Sequence, residues 1–453
     1  MTDREFLHQF RRGIGSAIVE LQDNEQRERF KEIVLRCCLK DIGYDIQSEG
    51  TKGDYLYQAI STLGCEDEFL ARVPDVYLRR LPHGLMVQIT DLLTACERNG
   101  SNRAFDILRM KHKQLWLRLK TQKTFPTRYC EREQFETLQI AFLYRGGWKS
   151  FENAIHNAGA IILKRGEDLC SEYDWFFACA EDRFGEQRVQ TYLHTAGETS
   201  PRVRAMRDAY EASRALAEER DKKRVQSPIT ADLLISDIQN SSSDDKPYRV
   251  IGKILRFGRE ASKAELVLLA ERIKSEEDPA VLARLLRVYQ DVDYPLDPAF
   301  LLELARSNHA ELREAAVQAL GRFREKSIHD LAVSLIEENE ADLALTLLQK
   351  NWRKADDALI ESIVLKSRRV THAMQMNLLE LYLKHRSCSC GKILLHTYRN
   401  GECGFCRRWV IDAMAKNKIL TDEILRECQY DSYDETRAFA DRLLKRRAKA
   451  NCQ

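Results

Sequence analysis

The residues best able to do chemistry in this chain are four cysteines in a short span. Cys388-Ser389-Cys390-Gly391 precedes Cys403-Gly404-Phe405-Cys406, with 12 residues between Cys390 and Cys403. A Cys-x-Cys and a Cys-x-x-Cys pair could together give four thiolates to one structural zinc, with His385 or His396 as substitutes. Gly391 and Gly404 suit the tight turns such a site needs, and Asn400-Gly401 is a turn signal just before the second pair. Two other readings stay open. The four could be packed reduced thiols with no cofactor, since free cysteine is usually buried. Alternatively, Cys403 and Cys406 could form a redox pair near a helix start, where the dipole favours thiolate. No second motif of a thiol oxidoreductase accompanies them.

A second stretch carries charge. Arg109, Lys111, Lys113, Arg118, Lys120, Lys123, Arg128 and Arg132 meet one acid, Glu131, with Trp116, Phe125 and Tyr129 interleaved. Cations neutralising phosphates and rings stacking on bases would make this a nucleic-acid strip. The plainer reading is the polar face of a helix whose core stripe is Leu108, Leu115 and Leu119, with His112 a core histidine. The basic tail Arg442, Lys445, Arg446, Arg447 and Lys449 divides the same way, because cations stabilise a helix C-terminus unaided. Phosphate-binding, dinucleotide, zinc-protease and serine-hydrolase motifs are all absent. No catalytic residue is assigned, and the polar loop Asp45 to Asp54 is the nearest candidate for a functional loop.

Helices must position these groups. The chain has 453 residues, with 20 Gly and 9 Pro among many helix formers, which predicts a mostly helical protein. With 72 Lys+Arg against 70 Asp+Glu the net charge is +2, which excludes a global field but leaves local patches. No stretch approaches 18 uncharged apolar residues, and the start lacks the apolar run of a signal peptide, so a soluble cytoplasmic chain is expected. An odd 13 cysteines scattered over this length fits reduced thiols.

The C-terminal half repeats. Leu282, Leu312, Leu343, Met374, Phe405 and Thr436 follow one another at intervals of 30, 31, 31, 31 and 31, and Leu286, Ala316, Leu347, Leu378, Trp409 and Ala440 keep the same register. Each unit reads as two short amphipathic helices, which stacking alone can bury. The run from His309 through Leu312, Ala315, Ala316, Ala319 and Leu320 to Phe323 resembles the first helix of a HEAT repeat, and Asp278-Pro279 opens the preceding unit similarly. That resemblance implies a curved binding surface without shared chemistry, and mostly protein or nucleic-acid partners.

The expected fold is therefore all-α. An irregular helical domain (1–220) and a charged, Ser-rich linker (221–248) precede an α-solenoid of HEAT-like pairs with a period of about 31 (249–447), including a Cys-rich insertion or repeat at 385–406. If 391–400 is helical, the two cysteine pairs stand roughly 15 Å apart. One zinc needs its thiolates about 4 Å from each other, so a single Cys388, Cys390, Cys403, Cys406 site requires 391–402 to fold back. The expected function is a non-enzymatic scaffold that binds a protein on the solenoid surface through Glu303, Arg306, Asp330, Glu337, Glu361, Lys366 and Arg399. The alternative is nucleic-acid binding through the strip at 109–132 and the tail.

Overall fold

The computed structural model describes residues 1–121, 128–165, 173–226, 230–240 and 247–451. The fold is all-α: among the described residues there is no strand, and one isolated bridge pairs Val370 with Gly401. No described helix is long and apolar enough to cross a membrane. Two compact units result: Met1–Val225 with Cys403–Phe405 and Asp422–Gln453, and Gln226–Glu402 with Cys406–Thr421.

In the first unit, one core gathers the helices from Asp3–Arg12 to Asn102–Thr121, with Phe6 stacked on Phe30 at 4.0 Å and Phe10 against Tyr55 at 5.2 Å. A second core collects Phe151, Phe176, Phe177 and Tyr210. Between them Arg128–Arg165 kinks at Gly147, whose φ of 59° suits a residue without Cβ. Helix Asp422–Cys428 belongs to this unit because Gly15 lets it approach. A Cβ on Gly15 would stand 1.8 Å from the Glu427 carbonyl, and the Ser432 N–H donates to the Gly13 carbonyl at 2.8 Å.

In the second unit, helices begin at Pro279, Ala310, Ala341 and His372, each packed on the one before. Asp278, His309 and Thr371 cap three of them through their side chains. Leu312, Leu347 and Leu378 are buried, as the register predicts, whereas Leu343 is only half-buried. Within the span expected as linker, Ala231–Gln239 is a helix that buries Ala231, Leu234 and Ile238, started by the Thr230 hydroxyl accepting from the Leu233 N–H at 3.3 Å. An N-cap followed by apolar residues four apart outweighed the polar composition around it.

Candidate functional site

The turn that carries Cys403 and Cys406 opens helix Gly404–Lys416. His372 is the first residue of its helix and Met376 lies one turn on, so both side chains share a face. The Cys406 Sγ stands 3.5 Å from His372 Nδ1 and 3.6 Å from Met376 Sδ. The Cys403 and Cys406 thiols are buried and His372 is exposed. Neutral imidazole and thiolate are the donors that borderline-soft zinc prefers.

Cys390, of the expected four, does not join Cys406 and His372. The segment 391–400 is an α-helix, and Cys390 lies ahead of it. Its buried thiol donates to the Ser387 carbonyl at 2.8 Å instead. The Cys388 side chain lies outside the described residues. His385 Nε2 sits 3.0 Å from the Gln349 carbonyl and its ring stacks on Trp352, while His396 Nε2 sits 2.8 Å from the Ser367 carbonyl. Neither takes part in the cluster.

What holds the Cys388–Cys390 turn is a residue that the sequence reading missed. Asp357, 4% exposed, accepts from Trp352 Nε1 at 3.1 Å, from the Tyr382 hydroxyl at 3.0 Å, from the Ser387 hydroxyl at 2.5 Å, and from the Ser389 hydroxyl. A buried carboxylate with four donors is satisfied and rigid. Burial, and then Asp357 itself, pushes the Tyr382 phenol far above its ordinary range. The neighbouring Asp356 lies 3.1 Å from His329 Nε2 and accepts from the Arg353 N–H at 2.7 Å. Only the serines two residues apart in the Cys-x-Cys segment hinted at such a hub.

The Asp45–Asp54 loop is also built around a buried carboxylate. Glu49 accepts from the Tyr44 N–H at 2.8 Å, from the Gly404 N–H at 2.8 Å, and from Lys52 Nζ at 3.1 Å. Lys52 Nζ also donates to the Ile42 carbonyl at 2.9 Å. Burial works to raise the Glu49 pKa, yet the Lys52 ammonium and the two backbone donors outweigh it and hold the group below its usual value. The Gly404 N–H belongs to the Cys-x-x-Cys turn, so Glu49 fixes that turn's backbone. Beside it opens a polar cleft of 360 Å³. There Thr51 donates to Asp91, and Asp54 pairs with Arg98.

The basic strip is less uniform than its sequence. Lys111 is fully buried and donates to the Arg79 carbonyl at 2.8 Å, 5.3 Å from the Tyr77 ring, so it presents no charge to a phosphate. Arg109, exposed, pairs with Asp106 at 3.6 Å. Lys113 is exposed and Arg118 half-buried, while Lys123 and the Lys120 side chain lie outside the described residues. His112 is the core histidine expected: it faces Phe135 at 4.8 Å, its Nε2 meets Gln139 at 2.8 Å, and burial lowers its pKa to about 4. In the tail, Arg447 pairs with Asp422, and Arg442, Lys445, Arg446 and Lys449 are exposed. On the second unit, Glu303, Arg306, Asp330, Glu337, Lys366 and Arg399 are exposed, and Glu361 is half-buried against Lys392 at 3.1 Å.

No family model, curated protein or solved structure matches this chain.

Proposed function

We propose that the second unit is an α-solenoid of HEAT-like helix pairs with a period of about 31 residues, and that the protein is a non-enzymatic cytoplasmic scaffold binding a protein partner on that surface. The observation that supports this most is a set of side-chain bonds joining residues about one repeat apart. Lys350 Nζ donates to the Arg322 carbonyl at 2.6 Å, Asn351 to the Phe323 carbonyl at 3.0 Å, Gln349 to Asn377 at 2.8 Å, and Asn417 to the Tyr382 carbonyl at 2.9 Å. Bonds of this kind tie each unit to its neighbour, as a stack with only nearest-neighbour contacts requires. The exposed Glu303, Arg306, Asp330, Glu337, Lys366 and Arg399 mix both signs, which suits a folded protein better than a polyphosphate.

The test is affinity purification at about 150 mM salt, with and without nuclease, using the wild type and a variant with Arg306, Asp330 and Glu337 reversed in charge. A stoichiometric protein that survives nuclease and is lost in the variant supports the reading. Recovered nucleic acid, with partners that vanish on nuclease treatment, would move the function to the strip at 109–132 and the tail. The burial of Lys111 counts against that alternative.

Cys406, with His372, is proposed to hold one structural zinc in place of the four-cysteine set. Protein purified without added chelator is then expected to carry one equivalent of metal, and a metal-free protein of unchanged melting point would refute the site.

A further inference from the structure

In the first unit, a cleft of 410 Å³ opens between helix His83–Arg98 and helix Arg128–Arg165, with Trp175 from helix Asp174–Phe184 at its rim. Its walls divide by chemistry. Val87 and Ile140 supply an apolar floor, Asp91 and Glu136 supply two carboxylates, and Tyr144 and Trp175 supply two rings. Among the described residues no lysine or arginine lines it, and His83 is its one basic side chain.

Trp175 is the most exposed large apolar side chain of the described residues, at 68%, although Phe176 and Phe177 next to it are buried. Among the described residues no ring and no cation is paired with it. A tryptophan left in water costs hydrophobic stabilisation that a core position would have supplied. Tyr144, 47% exposed, already takes one cation on its ring, the Arg183 guanidinium at 5.3 Å.

Both carboxylates are held in place by the fold. Glu136 Oε1 accepts from the Phe176 N–H at 3.1 Å, which fixes it beside Trp175, and Asp91 accepts from the Thr51 hydroxyl. Burial first, and then the nearby Asp54, hold the Asp91 carboxyl above its ordinary range. A cation brought alongside would draw it back down.

From this arrangement we infer that the cleft receives a cationic side chain, an arginine or lysine on an extended basic segment of a protein partner. The guanidinium or ammonium lies against Trp175 with Glu136 and Asp91 as counter-charges, and its methylene stem covers Val87 and Ile140. Aromatic faces attract cations through their quadrupole, two fixed carboxylates add charge-assisted hydrogen bonds, and an apolar floor matches a long aliphatic stem. No residue proposed for partner binding on the second unit lines this cleft, so the two inferences stand or fall separately.

The experiment is fluorescence anisotropy on the full-length chain with a labelled glycine–arginine repeat peptide, a glutamate-for-arginine control peptide, and spermidine as competitor. Trp175→Ala removes an exposed ring and no charge. Glu136→Gln keeps an acceptor for the Phe176 N–H and removes the charge. The inference expects saturable binding of the arginine peptide and none of the control. It further expects about fivefold weaker binding in Trp175→Ala and about tenfold in Glu136→Gln. Arginine-peptide binding that Trp175→Ala leaves unchanged would mean unspecific attraction to acidic surface and would overturn it. So would spermidine binding that is lost in both variants while the peptide does not bind, because the occupant would then be a free polyamine.

Discussion

The two cysteine pairs are of the same residue type, lie a dozen positions apart in the sequence, and are used differently. Around Cys388 and Cys390 the chain recruits a carboxylate: Asp357 gathers Trp352, Tyr382, Ser387 and Ser389, and the Cys390 thiol is spent on a backbone carbonyl. Around Cys406 the chain brings up imidazole and thioether, His372 and Met376. The difference lies in what each turn faces. The first faces a helix N-terminus carrying acids, where hydroxyls are the useful partners. The second faces the first turn of a helix whose His372 and Met376 are four apart, a spacing that puts both on one face. Cysteine spacing alone therefore did not determine the ligand set.

The largest expected effect separates the pairs directly. Asp357→Ala takes the acceptor away from the Trp352 indole N–H and from three hydroxyls, of which those of Ser387 and Tyr382 are buried, and should destabilise the protein by about 3–5 kcal/mol. Thermal or urea unfolding measures this, and chelator should leave the loss the same size. A cost within about 0.5 kcal/mol would show that the Cys388–Cys390 turn is held by something other than its carboxylate hub.

Next in size comes the register of the repeat. Leu347 is fully buried, and Leu347→Ala should cost about 2–5 kcal/mol. Leu343, assigned to the core by the same 31-residue spacing, is half-buried, and Leu343→Ala should cost clearly less. Equal losses at the two positions would show that the spacing had located the core better than the helix packing does.

Smaller in stability but sharper in kind is the other pair. If the proposed zinc is bound, Cys406→Ser should abolish it, measured by elemental analysis, while Cys390→Ser should leave it in place, since the Cys390 thiol is spent on the Ser387 carbonyl. Metal lost in both variants would restore the four-cysteine site and erase the contrast between the turns.

These contrasts show which parts of the structure were legible in the sequence. Helix content was legible, because scarce glycine and proline with apolar residues three and four apart leave little else to form. So was the packing of His112 against Phe135, since a histidine on an apolar stripe has core neighbours. The conflict between one four-cysteine site and a helical 391–400 followed from rise per residue alone. Other features were not legible because they depend on residues far apart in the chain. Asp357 meets Ser387 from 30 positions away, His372 meets Cys406 from 34, and Glu49 meets Gly404 from 355. A charge strip also conceals which of its lysines points inward: Lys111 is counted with Arg109 in the sequence yet packs on Tyr77 in the fold.

The Asp45–Asp54 loop is joined to the cysteine turn through Glu49, and that link depends on pH. Glu49 is held below its ordinary value of 4.5, so the folded state binds its proton less readily than the unfolded chain does. Its contribution is fully present above about pH 4.5 and is lost as the pH falls through the lower folded value. Glu49→Gln removes that titration, leaves Lys52 Nζ with the Ile42 carbonyl, and keeps only part of the acceptor capacity toward Tyr44 and Gly404. The variant should be less stable by about 1–3 kcal/mol near neutral pH, and the gap to wild type should close as the scan descends below pH 4.5. Because the Gly404 N–H fixes the turn between Cys403 and Cys406, zinc affinity should weaken in the same variant, whereas Asp357→Ala should leave it unchanged. A gap that stays constant down to strong acid would mean that Glu49 is held by packing rather than by its charge.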